Sequence, residues 1–534
     1  MPRLLAPLAA LAAVLLVAPP GALAQPFAVT VTERTDLANA PAVHSGAHAE
    51  HDGLWLYVGG RHEGGMHAFT APSFPREDEN ASVFVYDHET DERWSASVDD
   101  LAPAIAEHLR TTNAQFLSRG DSLIVVGGYG YRAADEGFVT FGTMTVLDVP
   151  EVIAAVVAGE SLAEHVRQPI AWDEALTVAG GHLTALGDRL ALVGGNRFDG
   201  EYGGTAFTQT YTQAIRTFEV DGSAGLVDVQ EVTDPELHRR DGNIGPAVLD
   251  DGSLGLGIYG GVFHPTTQGA YLRPIRVTEA GALDLEPTFE QHMGHYTSPV
   301  LPLYDSEAGA MHTVFVGGIN GFIWSEDSGD WQSVGTPPFL PFTDDIAVLS
   351  REGGEWSEHY LGDLPSLDGY DGLLGTNAAL FLAPDLPMHA EGIVDLDALP
   401  AGETLLGWVL GGIEARQPSF GTTSASARVL EVSLLRAIPP ATEDPAGLAF
   451  AVGEPAPNPS AGPVRLALSL DHPEAVRAEV LDLTGRRVAL LHDGPLAAGP
   501  HTLTWAAEAA PGLYLVRVTG ADGRGASRRV VLAR

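Results

Sequence analysis

The sequence predicts an all-β chain in two parts: a ring of six four-stranded units, then a small β-sandwich. Three observations predict it. A short apolar run ending in Gly-Gly recurs six times: "LYVGG" to Gly60, "LIVVGG" to Gly128, "LALVGG" to Gly195, "LGIYGG" to Gly261, "TVFVGG" to Gly318 and "GWVLGG" to Gly412. Most intervals are roughly 60 to 70 residues, and self-similarity at a fixed long period marks a repeat architecture. After each pair comes a loop and then an alternating segment, such as "SVFVYD" (Ser82 to Asp87) or "ARVLEVSL" (Ala427 to Leu434), with the period of a half-buried strand. Beyond the Pro-rich "AIPPATEDPAG" the text changes to short alternating strands with no Gly-Gly repeat.

Taken in chain order, "MPRLLAPLAALAAVLLVAPPGALAQ" opens with Arg3, runs apolar to Val17 and closes on Ala22-Leu23-Ala24. This is the pattern of a secretory signal peptide over residues 1–24, cleaved between Ala24 and Gln25. No other segment is long and apolar enough for a membrane span, so no transmembrane anchor is expected in the mature protein. Residues 25–438 form the repeat region. Each unit reads as a leading segment rich in Asn, Gly, Ser or His, a first strand, a tight turn, the strand ending in Gly-Gly, a loop, an alternating third strand and, in most units, a fourth such as "RWSASV" (Arg93 to Val98).

Four antiparallel strands repeated radially make a β-propeller, in which closure protects the sheet edges. Where neighbouring units converge there is little room for side chains, and glycine permits close backbone approach and positive φ. The last unit runs out after "ARVLEVSLL", so "FAVTVTE" (Phe27 to Glu33) is expected to supply its outermost strand. The long final interval is ascribed to a loop after Gly318 and an insert near Leu386 to Glu403. A concealed seventh unit, and a sandwich or solenoid in place of the ring, remain alternatives. Residues 439–450 read as a stiff Pro-rich linker and 451–534 as a small Ig-like β-sandwich.

Composition bounds the function. The chain has 534 residues, no Cys and a formal net charge of −41, and all of its 29 basic residues are Arg. That charge disfavours nucleic acid and anionic membranes as partners. The absence of Cys excludes disulfides, thiolate metal sites and a cysteine nucleophile.

The repeat resembles the kelch family of propellers, whose blades carry an apolar run, Gly-Gly and later a Tyr and a Trp. The first unit matches best, with Gly59-Gly60, Tyr86 and Trp94. The fifth keeps Gly317-Gly318 and Trp356 but has Leu349 where Tyr is expected, and the others keep only the glycines. The resemblance implies architecture and says little about ligand. The tail resembles the type A C-terminal sorting domain of the type IX secretion system of Bacteroidota. The matching residues are Pro457-Asn458-Pro459, Asp482 with Gly485-Arg486, Gly499, Gly512 with Tyr514, and Arg528-Arg529. That resemblance implies export across the outer membrane to the surface or the medium, with the type IX machinery as partner.

No catalytic triad, phosphate loop or metal motif is present. No cofactor is expected, and calcium is left open. The histidines of "RHEGGMH" and "EQHMGHY" are too loosely spaced to define a metal site. In a propeller the segments leading into each first strand and those leaving each Gly-Gly open on one face, and loops on a rigid scaffold are where binding resides. The leading segments give His44, His48, Asn113, His182, Asn243, Ser298 and Asn377. The leaving segments give Arg61, His62, Tyr129, Tyr131, Arg132, Asn196, Arg197, His264, Asn320 and Arg416. The preferred expectation is a non-catalytic protein binding a glycan or protein ligand at this mouth. The alternative is an extracellular hydrolase or lyase acting on polysaccharide through carboxyl and His residues on the axis.

Overall fold

The computed structural model describes residues 27–534 apart from 63, 66–72, 222–224, 337–339, 367–372, 419–422, 437–450, 454, 457, 459, 461, 471, 483–485, 498, 508, 522–523 and 534. The signal segment with Ala24 and Gln25, the Pro-rich linker, and the tail positions Pro457, Pro459 and Gly485 lie outside the described residues. The chain divides into two compact units, Met1–Ile438 and Pro439–Arg534.

The first unit is all-β and propeller-like, built mainly of four-stranded antiparallel sheets. The first sheet runs Ala47–His51, Leu54–Val58, Ser82–Asp87, Glu92–Ser97 from inner to outer strand. The second begins at Gln115–Arg119, the third at His182–Leu186, the fourth at Asn243–Val248, the fifth at Val300–Asp305 and the sixth at Ala379–Leu382. The strand order of the sixth is Ala379–Leu382, Gly402–Leu410, Val429–Arg436, Phe27–Glu33, so the N-terminal strand lies at its outer edge, paired from Phe27↔Arg436 to Glu33↔Leu430.

Successive sheets share apolar layers. Leu56 and Val58 pack with Leu123 and Val125 of the second sheet. Trp55 and Tyr57, on the opposite face of the same strand, pack with Phe381 and Trp408 of the sixth. A strand covered on both faces reads as a continuous apolar run, which is why "LWLYV" does not alternate. Further layers join the second sheet to the third, the third to the fourth, the fourth to the fifth and the fifth to the sixth.

The glycine pairs sit at the ends of the second strands, and every member has φ between +59° and +108°. The second glycine of each pair donates its N–H to the segment leading into the next sheet. Gly60 donates to the Thr111 carbonyl (2.8 Å), Gly128 to Val178 (2.8 Å), Gly195 to Arg239 (2.7 Å), Gly261 to His295 (2.9 Å) and Gly318 to Leu374 (3.0 Å); Gly412 returns to Val43, at 2.9 Å. The first glycine presses on the same segment: a Cβ on Gly127 would lie 2.2 Å from the Val178 carbonyl oxygen.

Three local features differ from the reading of the sequence. The repeat pattern leads to strands throughout, yet the third strand of the second sheet ends at Asp148 and Val149–Ala158 is a helix. The Asp148 side chain accepts from the Glu151 N–H, and Val152, Ile153, Ala155 and Val156 bury against the first two sheets. A second short helix, Pro103–His108, leads towards the second sheet. The segment after Gly318 is a hairpin, Phe322–Ser325 with Asp330–Ser333, and the insert after Leu386 contributes Ile393–Asp395, which lies parallel to the inner strand of the fifth sheet.

The second unit has a three-stranded sheet (Ala451–Val452, Val464–Leu470, Gly499–Trp505) and a four-stranded one (Arg487–Leu496, Glu474–Leu481, Gly512–Gly520, Gly525–Leu532). One core spans both, with Leu466, Leu468, Val480, Val516 and Trp505 among its members. Asn458 staples the start of the unit to its last strand: Nδ2 donates to the Arg529 carbonyl and Oδ1 accepts from Val531 N–H. Asp482 accepts from the Arg486 backbone and side chain, Tyr514 Oη donates to the Ala510 carbonyl, and Arg528 donates to the Val452 carbonyl.

Candidate axial binding site

One residue of each leading segment carries the site. Asn377 N–H donates to the Thr297 carbonyl (3.0 Å), Ser45 to Asn377 (3.2 Å), Asn113 to Ser45 (3.0 Å), Gly180 to Asn113 (3.0 Å) and Asp241 to Gly180, at 2.7 Å. Between the fourth and fifth segments Thr297 Oγ1 reaches the Gly242 carbonyl at 3.5 Å. Ser45, Asn113, Asp241 and Asn377 have φ of 59°, 53°, 54° and 55°, and Gly180 has 64°. Outside glycine, Asn and Asp tolerate this left-handed conformation best, so backbone geometry selects these residue types. Each of these five is followed by Gly or Ala, a repeated signal that sequence reading passed over.

Together these segments enclose a cavity of about 320 Å³ lined from all six sheets. Of the residues expected at the mouth, His48, Asn113, His182, Asn243, Ser298 and Asn377 line it. Asp241 and Gln115, which were not among those expected, line it too. Asp241 is its one acidic residue. The carboxyl is buried, and burial raises its pKa. Arg240 (3.4 Å), Asn113 Nδ2 (3.3 Å) and Tyr296 oppose that rise. His48 and His182 are pushed down to about 4 by burial, so both imidazoles are neutral at pH 7. Gln115 Oε1, Ser298 Oγ and His48 Nδ1 are buried in this wall with no hydrogen-bond partner among the described residues.

The other expected residues lie outside this cavity, and most are engaged in the scaffold. His44 is buried, with Nδ1 2.8 Å from Ser45 Oγ and Nε2 3.0 Å from the Gly64 carbonyl. Arg61 is buried and ion-paired with Asp78 (3.0 Å), and His62 packs near Phe84. Tyr129 Oη donates to the Gly200 carbonyl; Tyr131 lies under the Arg76 guanidinium; Arg132 pairs with Asp135 and covers Trp172. Asn196 donates to the Ala179 carbonyl, and Arg197 bridges Glu174 and Asp199. Asn320 accepts from His295 N–H and donates to Thr343 Oγ1. His264 Nδ1 accepts from Thr266 N–H, and Arg416 is exposed; both lie outside the axial cavity. Asn243, although in the cavity wall, spends its amide on the Gly294 and Tyr296 carbonyls and on Ser298 N–H.

Among the described residues no group of three His, Cys, Asp or Glu side chains could hold a metal ion, and no helix is long and apolar enough to cross a membrane. In "EQHMGHY", His292 pairs with Glu358 (2.8 Å) and His295 Nδ1 accepts from Gly321 N–H.

The buried histidines give a pH prediction. His108, His295 and His312, like His48 and His182, are lowered to about 4 by burial. Between that value and about 6.5 the unfolded chain binds protons that the folded chain does not, so stability falls as pH drops through this window. Each group contributes on the order of 2 kcal/mol, partly offset by the raised carboxyls of Asp241, Glu79 and Asp345, which act in the opposite sense. Urea midpoints at pH 7 and pH 4.5 should differ strongly, the lower pH giving the lower midpoint.

No protein-family model matches the chain, and no curated protein matches it. Among solved structures it is similar to one described as "Structure of YjhT", at 12% identity and a TM-score of 0.42, covering 73% of this chain and 94% of that one. A likeness that remote does not bear on function.

Proposed function

We propose that the protein is a secreted, six-bladed kelch-like propeller that binds a glycan or protein ligand at its axial mouth, carried to the cell surface or medium by a type IX sorting tail with an Ig-like fold. The six glycine N–H links, each passing to the next sheet and the last returning to the first, support the blade count. One observation carries the binding reading: a cavity lined from all six sheets, with amide, hydroxyl and imidazole groups in its wall and three buried polar atoms there without a partner among the described residues. Buried polar atoms are ordinarily satisfied, so such a wall suits a ligand rich in hydroxyls or amides.

The test is a glycan array and a pull-down with mature protein. The ligand recovered should bind at least ten-fold more weakly to His182→Ala, whose side chain lines the cavity, and as well as wild type to His264→Ala, whose side chain does not. A second reading, hydrolysis or lysis of a polysaccharide, draws on Asp241, His48 and His182 lining the same space. Turnover of a polysaccharide, lost in Asp241→Asn, would favour it over binding alone.

A further inference from the structure

We propose that a second cavity, at the fifth sheet, binds a primary ammonium group carried on an apolar stem. This cavity, of about 600 Å³, shares no lining residue with the axial one. Its apolar wall includes Trp324, Leu340, Phe342 and Leu373. Among the described residues its charged lining groups are three carboxyls, Asp344, Asp345 and Asp363, with no Arg or His beside them.

Strand register creates the cluster. Asp345, on the third strand of the sheet, is the direct partner of Asp363 on the fourth, and Asp344 adjoins it in sequence. The Asp345 residue is 4% exposed. Its Oδ1 accepts the Trp324 amide N–H at 3.0 Å, while its Oδ2 is buried with no hydrogen-bond partner among the described residues. A buried carboxyl with one free oxygen is costly unless something pairs with it. Burial, with the charges of Asp363 and Asp344 adding to it, pushes this carboxyl up to about 7. A ligand cation would relieve both the burial and the like-charge repulsion.

The apolar wall is held firmly. The Trp324 indole stacks on Tyr360 with centroids 5.1 Å apart and an interplanar angle of 6°, and meets Trp331 edge-on at 5.4 Å. An indole beside carboxyls is a favourable setting for an organic cation. A bare metal ion fits poorly, because these side chains do not converge as a set of metal ligands and much of the wall is hydrocarbon. The chain's charge of −41 raises the local concentration of cations. The chain has no Lys, so no side chain of its own can supply the ammonium. The group comes from a free alkylamine or from the lysine of another protein.

Calorimetry on the full chain at pH 7.5 tests this with n-butylammonium, 1-butanol and Nα-acetyl-lysine amide. The expected result is saturable binding of n-butylammonium at least ten-fold tighter than 1-butanol, and at least a ten-fold loss in Asp345→Asn, which keeps an acceptor for the Trp324 N–H. Tighter binding of the lysine amide than of n-butylammonium assigns the site to protein lysines; the reverse assigns it to free amines. If Asp345→Asn lowers the melting midpoint, Asp363→Asn provides the same comparison. Absence of saturable amine binding, equal binding of 1-butanol, or an unchanged affinity in the folded carboxamide variant overturns the proposal.

Discussion

Replacing Gly127 by alanine is expected to destabilise the repeat unit by about 3 kcal/mol or more, the largest effect of any single methyl group considered. Two penalties add. The residue has φ of +67°, and holding a non-glycine residue there costs roughly 1–3 kcal/mol. The new Cβ would also lie 2.2 Å from the Val178 carbonyl oxygen, which already accepts the Gly128 N–H. Relief requires moving the segment that leads into the next sheet, and with it the wall of the axial cavity. Gly120→Ala separates the two penalties: its φ is +54°, but nothing lies within 4 Å of the added atom. Only the backbone strain remains, about 1 kcal/mol. Denaturation midpoints of the two variants should therefore differ clearly. Equal losses would show that the close approach to Val178 is unimportant.

Deleting Phe27–Glu33 should be more damaging still, and removing the entire second unit much less so. The strand buries Phe27 and Val29 against the core shared by the fifth and sixth sheets, each worth roughly 1.5–3 kcal/mol. Its Glu33 also accepts from Arg428 Nε and Nη2, at 3.0 and 2.9 Å. Arg428 is 8% exposed, and a buried guanidinium stripped of its partner costs about 3–5 kcal/mol. Together these approach the whole stability of an ordinary domain. The deletion should yield unfolded or insoluble protein, its exposed sheet edge prone to aggregation. A chain ending at Arg436 keeps every strand of the sixth sheet. It should melt close to the full-length temperature and, on the proposed sorting role of the tail, accumulate in the periplasm of a type IX host. If instead the shortened chain unfolds and the strand deletion is harmless, the proposed domain division and the stabilising role of the N-terminal strand are both wrong.

Much of the first unit could be read directly because its determinants are local. Apolar runs buried on both faces, tight turns and paired glycines are set by residues adjacent in sequence, so strand positions such as Ser82–Asp87 follow from the sequence. The helix Val149–Ala158 was legible in principle, from Asp148 as cap and Pro150 in the first turn, but its valines and isoleucine also suit a strand. The recurring Asn, Asp, Ser or Gly before a small residue marks left-handed backbone positions around the axis, a signal that is plain only once the φ angles are known.

The sequence by itself determined the strands, the glycine punctuation, the acidic lysine-free surface and the change of character beyond the Pro-rich stretch. Only the tertiary structure decided which polar residues are spent on the scaffold and which line a cavity. Asn196, Asn320, Tyr129 and Arg61 look like binding residues in the text, but each meets a backbone or side-chain partner that folding supplies. For Tyr129 that partner is the Gly200 carbonyl, 71 positions along the chain. Asp241 and Asp345 look like surface charges, and both are buried, one beside the axis and one opposite Asp363 across a strand pair. Hydrogen bonding and desolvation act through space, and the identity of a residue does not carry its distance to groups far along the chain.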